Sequence, residues 1–121
     1  MLRNFEEYTS PLNPELQVVV KWLDDLFAGR TEFAIPRTGK PIKAKVLCKA
    51  IKDIHNLPKF PESKLRRCIN ELRQKGSNPI LSSSAGYWTS RNADELLDNI
   101  ESLEQRARSI QTAADGLKRF L

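Results

Sequence analysis

A set of polar side chains recurs through one segment at the spacing of a single helical face. The set follows intervals of four, three and four residues: Ser63, Arg67, Asn70 and Gln74. At 100° per residue, it lies opposite an apolar face of the same helix: Leu65, Cys68, Ile69 and Leu72. Arginine can bond guanine bidentately, asparagine and glutamine can do so with adenine, and serine is adaptable. The pattern therefore predicts a helix face that contacts base edges in a major groove.

Basic residues beside this face are candidates for phosphate contacts. They are Lys59, Lys64, Arg66 and Arg91, together with the lysines of the preceding helix. Residues 30–75 contain thirteen Lys and Arg against four acids, a net charge of +9, whereas residues 1–29 and 92–121 are mildly acidic. Clustered cations favour a polyanionic partner because they release counterions from a phosphate backbone. The alternative is a solvated basic face.

Motifs for catalysis and for cofactor binding are incomplete, so we expect neither an enzyme nor a cofactor. The Gly-Lys pair at 39–40 lacks the other residues of a phosphate loop, and the serines at 82–84 lack the Gly-x-Ser-x-Gly elbow. His55, the single histidine, stands at a predicted helix end, where a capping role is ordinary. Cys48 and Cys68 lie twenty positions apart without a Cys-x-x-Cys pair, so we expect reduced core thiols and no metal site.

The elements that would position these residues follow from apolar periodicity and from turn residues. Helices are predicted at 15–28, 43–55 and 62–75. The first would bury Leu16, Val19, Val20, Leu23, Leu26 and Phe27, and the second would bury Val46, Leu47, Ala50, Ile51 and Ile54. Residues 31–42 contain two prolines and a Thr-Gly turn, so at most one or two short edge strands fit there.

The stretch LSSSAGYWTSR, residues 81–91, predicts a β-hairpin. Strands at 79–83 and 87–90 flank a tip of Ser84, Ala85 and Gly86, whereas a linker would have a longer Gly/Ser tract without aromatics. Tyr87 and Trp88 alternate faces, so one should pack on the core and the other should be more exposed. The candidate site residues of the hairpin are Ser82, Ser83, Ser84 and Gly86, and the hairpin either contacts DNA or only supports the helix that does.

A long C-terminal helix is predicted from Asn92 onward, with Asn92 as its N-cap. Apolar residues keep spacings of three and four for about three heptads: Ile100, Leu103, Ala107, Ile110, Ala114, Leu117 and Leu121. This seam predicts a homodimer through paired helices, although its two alanines reduce the area that pairing would bury. The alternative is that the seam packs against the first helix of the same chain.

The order helix, short strand, helix, helix and hairpin resembles the winged helix-turn-helix of the biotin-repressor type, and still more closely small phage and prophage proteins with that domain. The resemblance covers residues 41–90 well and the C-terminal helix by length and pattern only. Two departures are Ala85, where relatives often have lysine, and the long turn at 56–60. The matching positions are Leu65, Ile69, Leu72, Arg73, Gly76, Pro79, Ile80, Ser82, Ser83, Ser84, Gly86, Tyr87 and Trp88.

The expected fold is α+β and mostly α, with an N-terminal arm (1–14), a winged-helix domain (15–91) and a C-terminal helix (92–121). The resemblance implies a phage or mobile-element protein that binds double-stranded DNA, as a transcriptional regulator or as a replication or origin-binding factor. The alternative is a winged-helix adaptor or inhibitor that binds a host protein. No apolar run approaches the roughly 20 residues of a membrane span, and acids occupy the place of a signal-peptide core, so we expect a soluble cytoplasmic protein.

Overall fold

The computed structural model describes residues 12–29, 40–76 and 78–121. They form an α+β, mostly helical structure, which confirms the predicted fold at that level. Two compact units divide the chain, with the boundary between Thr89 and Ser90. The elements in chain order are α1 (Pro14–Phe27), α2 (Ala44–Ile54), α3 (Glu62–Lys75), β1 (Ile80–Ser83), β2 (Gly86–Thr89) and α4 (Ala93–Lys118).

Capping side chains account for three of the helix ends in the described part of the chain. Asn13 precedes α1 and accepts a hydrogen bond from the Leu16 amide at 2.9 Å. Asn92 does the same for α4, accepting from the Glu95 amide at 3.0 Å, so its predicted role as N-cap is confirmed. At the end of α2, the His55 Nδ1 lies 3.1 Å from the Ile51 carbonyl oxygen, so the capping role expected of this histidine is also confirmed.

The core of the first unit lies between α1, α2, α3 and the hairpin. Helix α3 is at its centre, because it packs against α1, α2 and β1. Every large apolar residue predicted on the inner face of α1 is buried except Phe27, which is half-buried against the same core. The residues below 2% exposure include Val19, Leu23, Leu26, Leu47, Ile51, Leu65, Cys68, Ile69 and Leu81.

The predicted inner face of α2 is partly wrong. Val46 is 48% exposed and Ile54 is 53% exposed, whereas Leu47, Cys48 and Ile51 are buried. Val46 and Cys48 are two residues apart, hence 200° apart on a helix, so the core cannot cover both. The buried face is rotated toward the cysteine, and Ile54 lies in the last turn of the helix.

The hairpin has a shorter tip than predicted. Ser83 pairs with Gly86, so only Ser84 and Ala85 form the turn, and Gly86 belongs to β2. Of the strand residues expected within 31–42, positions 31–39 lie outside the described residues. Ile42 forms a single antiparallel bridge with Tyr87, with N···O distances of 2.7 and 2.9 Å.

Gly86 makes that bridge sterically possible. Its φ is +130°, a conformation that residues with a Cβ rarely adopt, and a Cβ placed there would lie 2.1 Å from the Ile42 carbonyl oxygen. The close approach of the two backbones therefore requires glycine. This requirement fixes β2 against the segment that leads into α2.

The second unit, Ser90–Leu121, consists of α4 and its short ends. None of the 26 residues of α4 is buried. Within the described parts of the chain, no helix combines the length and apolarity that crossing a membrane requires.

Candidate nucleic-acid interface

Helix α3 has one buried face and one polar face. Leu65, Cys68, Ile69 and Leu72 are at most 2% exposed, as predicted. On the opposite face Ser63, Asn70 and Gln74 are exposed and Arg67 is half-buried. The structure therefore brings the four predicted base-contacting residues onto one face of one helix. Whether they contact bases stays a prediction.

The two ends of α3 are set by backbone features of the sequence. Pro61 precedes its first residue with an extended ψ of 160°, and Gly76 ends it in the left-handed conformation with φ at +67°. The connection from α2 spans residues 55–61, longer than a tight helix-turn-helix link, as predicted. Asn56 turns it with φ at +54°, and the buried Phe60 attaches it to the core.

The expected phosphate contacts on the first unit are all exposed cations. Lys64 and Arg66 flank the polar face of α3, Lys59 lies in the connection that precedes the helix, and α3 itself has five basic residues against two acids. The exposed lysines at the start of α2 and along it are Lys43, Lys45, Lys49 and Lys52. Arg91, the fourth predicted phosphate contact, is exposed and belongs to the second unit.

Arg73 connects α3 to the hairpin. Its Nε donates to the Ile80 carbonyl oxygen and its Nη2 donates to the Ser82 hydroxyl oxygen, both at 2.9 Å. In the sequence, Arg73 is only a position that matches the winged-helix pattern, and this role is not predicted from it. Predicting that its guanidinium contacts two residues of one strand would require knowing that the hairpin lies beside α3. The hairpin is therefore held in a fixed place relative to the polar face.

The three serines predicted as site residues of the hairpin have different surroundings. Ser82 is half-buried and accepts from Arg73, whereas Ser83 is exposed and accepts from the Ala85 amide at 3.0 Å. Ser84 is exposed at the tip. Two of the three serines thus shape the hairpin, and Ser84 presents its side chain to solvent.

Asn78 fixes the loop between α3 and β1. Its Nδ2 donates to the Asp24 carboxylate at 2.7 Å and approaches the Asp24 carbonyl oxygen at 3.4 Å. This contact joins residues 54 positions apart and fastens the loop to α1. No sequence signal predicts this contact, because neither residue belongs to a periodic pattern.

The two cysteines are free, buried thiols, as predicted. Burial raises the pKa of Cys68 to about 12 and also raises the pKa of Cys48. Both thiols are therefore protonated near neutral pH, which makes them weak nucleophiles. The described ranges contain no group of three His, Cys, Asp or Glu residues that could hold a metal ion.

The aromatic residues support the core rather than the polar face of α3. Tyr87 is 8% exposed and Trp88 is half-buried, which confirms that one of the pair is on the core and the other more open. Burial also raises the pKa of Tyr87. Trp22 is packed against the core and meets the His55 ring edge-on, with 5.9 Å between ring centroids.

Comparisons of the chain with protein families, with curated sequences and with solved structures gave no match.

Proposed function

We propose that this chain is a sequence-specific double-stranded DNA-binding protein whose first unit is a winged helix. Helix α3 would enter the major groove, and the hairpin, as the wing, would lie along the neighbouring backbone or minor groove. Its biological role would be that of a transcriptional regulator or of a replication or origin-binding factor.

The observation that carries this proposal is the composition of the exposed face of α3. An arginine, an asparagine and a glutamine, the side chains suited to guanine and adenine edges, share one side of a helix with Ser63. Exposed cations flank them at Lys64 and Arg66. A helix in the major groove needs side chains that can bond base edges, with cations on either side that can bind phosphates.

The hairpin supports the proposal through its attachment to α3. Arg73 on α3 donates hydrogen bonds to Ile80 and Ser82 of β1, and Gly86 allows β2 to pair with Ile42. The separation between the helix and the hairpin is therefore built into the fold. A preset geometry reduces the ordering cost of binding a duplex.

Selection of bound sites from random duplexes tests the proposal. We expect one enriched sequence, and we expect Arg67→Ala with Asn70→Ala to remove the preference for it. The matched control is Gln17→Ala with Lys21→Ala, because it also deletes one amide and one cation from an exposed helix surface, on α1. The control should keep the selected site. If no sequence is enriched, or if both pairs behave alike, the proposal fails.

Salt dependence gives an independent test. Neutralising six or more phosphates should lower affinity by roughly a thousandfold or more between 50 and 200 mM salt. Lys64→Ala should weaken binding to all duplexes and flatten this slope by about one unit, whereas Asn70→Ala should change sequence preference with little effect on the slope. Binding that stays micromolar or weaker at low salt would contradict the proposal.

A second candidate is a protein-protein adaptor, favoured by one observation. Val46 and Ile54 are about half exposed on α2, a helix that also has exposed lysines. Exposed apolar side chains on a basic helix suit a partner with an acidic, partly apolar surface. If the DNA experiments fail, Val46→Ser with Ile54→Ser should abolish binding to such a partner.

A further inference from the structure

The seam of α4, defined as Ile100, Leu103, Ala107, Ile110, Ala114, Leu117 and Leu121, stays largely exposed. The exposed fraction is 47% for Ile100, 70% for Ile110 and 71% for Leu117. Helices in proteins gain most of their stability by packing such a face, and an unpacked helix is marginal in water. A continuous apolar seam on a helix without any buried residue therefore requires a cover.

Helix α1 has no free apolar stripe with which to cover the seam. Its inner face is already buried in the core of the first unit, where it packs against α3. The residues of that face are between 0% and 6% exposed: Leu16, Val19, Val20, Leu23 and Leu26. A second copy of α4 has a stripe of the same length and spacing, so it matches the seam.

Charge is divided between the two halves of α4. Residues 93–104 have five acids and no base, and residues 105–121 have four bases and one acid, giving net charges of −5 and +3. The helix dipole explains only charges in the first and last turns. It does not account for the interior charges Asp98, Glu101, Glu104, Arg106 and Arg108, of which only Glu104 and Arg108 form an ion pair within α4, at 4.0 Å, among the contacts described for this helix. Two copies running in opposite directions bring unlike halves together, whereas parallel copies bring like halves together.

The alanines of the seam point to the same orientation. With Ile100 at heptad position a, Ala107 and Ala114 also fall at a. The d positions hold only large residues: Leu103, Ile110 and Leu117. Parallel pairing in register sets a against a and leaves two thin Ala–Ala layers. In an antiparallel pair, the a positions of one helix face the d positions of the other. Each alanine within the paired length then faces a leucine or an isoleucine, so that small residues pack against large ones.

We propose that two copies of this chain associate through the seams of α4, with the two helices antiparallel. The interface uses no residue of α3, so it stands or fails independently of DNA binding. The partner is a second copy because the same helix supplies the matching spacing, the complementary charge and the complementary side-chain sizes.

A pair of variants tests whether the seam makes the contact. We expect analytical ultracentrifugation to show a dimer for the wild type and a monomer for Ile110→Glu. The matched control is Ser109→Glu, which adds the same charge one residue away at an exposed position outside the seam and should remain dimeric. A wild type that is monomeric at all concentrations, or equal behaviour of the two variants, overturns the proposal. A seam covered within the same chain would give the monomeric outcome.

Distances between spin labels test the orientation. Asp98→Cys and Gln105→Cys place one label per chain at exposed positions one heptad apart, on the side of α4 away from the seam. In an antiparallel dimer, the axial separation of the two labels differs between these variants by about 21 Å, twice seven residues at 1.5 Å each. With lateral separation included, the distance at 98 should exceed that at 105 by roughly 10–15 Å.

A parallel dimer would give equal distances for the two labelled variants, and that result would overturn the antiparallel arrangement even if the dimer exists. Cys48 and Cys68 are buried, so wild-type protein treated with the same label serves as the control for background labelling.

Discussion

Helices α1 and α4 have the same kind of apolar periodicity and opposite burial. The inner face of α1 is at most 6% exposed, whereas Ile110 and Leu117 of α4 are about 70% exposed. The difference is that α1 has α3 as its partner within the first unit. Periodicity thus predicts that a face will be covered, but the covering element is a property of the assembled molecule. The predictions that follow test whether the two regions depend on different interactions.

The largest expected effect is on the hairpin of the first unit. Gly86→Ala combines an unfavourable φ with a Cβ 2.1 Å from the Ile42 carbonyl oxygen, so we expect a loss of about 4 kcal/mol in the free energy of unfolding. Gly76→Ala is the control, because its φ is also positive but no atom lies within 4 Å of the added Cβ. It should cost about 1 kcal/mol. Chemical denaturation measures both, and equal losses would refute the steric argument.

Isoleucines in the two regions should respond differently to truncation. Ile51→Ala removes a fully buried side chain and should destabilise the first unit by about 3 kcal/mol. Ile110→Ala removes an exposed one and should leave unfolding of the first unit unchanged. Both tryptophans, Trp22 and Trp88, lie in the first unit, so their fluorescence during urea unfolding reports on it alone. A loss of similar size in Ile110→Ala would mean that the seam is coupled to that core.

High pH should destabilise the first unit through Cys68. Burial raises the pKa of this thiol from 9.0 to about 12, so above pH 9 the unfolded chain loses a proton that the native protein keeps. The contribution of Cys68 to the free energy of unfolding is therefore fully present below pH 9. It is lost at about 1.4 kcal/mol per pH unit as the pH rises toward 12. Urea unfolding measured between pH 9 and 12 gives the free energy of unfolding at each pH. In Cys68→Ala this free energy should fall less steeply with pH than in the wild type, by that amount. Identical slopes would contradict the assignment.

The smallest effect concerns the link between α3 and the hairpin. Arg73→Ala removes two hydrogen bonds and should cost about 1–2 kcal/mol. Amide hydrogen exchange should show faster exchange in β1 and β2 with little change in α1. Lys75→Ala, at the same end of α3 but exposed, is the control and should change neither quantity measurably. Unchanged exchange in Arg73→Ala would show that the hairpin holds its place without this contact.

The helices and the polar face of α3 were predictable because each depends on local sequence. The residues of α3 were assigned to the correct faces since 100° per residue fixes them once the helix is known. The face of α2 was misassigned because both Val46 and Cys48 are apolar enough to be buried, and only the position of α3 decides between them. The roles of Arg73 and Asn78 could not be predicted, since each side chain binds an element whose position depends on the whole fold.

The sequence by itself determined the helices, the N-cap role of Asn92, the burial of the two thiols and the basic character of residues 30–75, because propensity, periodicity and charge are properties of neighbouring residues. The tertiary structure alone decided which way α2 faces, that Gly86 must pass against Ile42, and that Arg73 and Ser82 join the hairpin to α3. These features depend on contacts between residues far apart in the chain, and such contacts exist only when the elements are packed together.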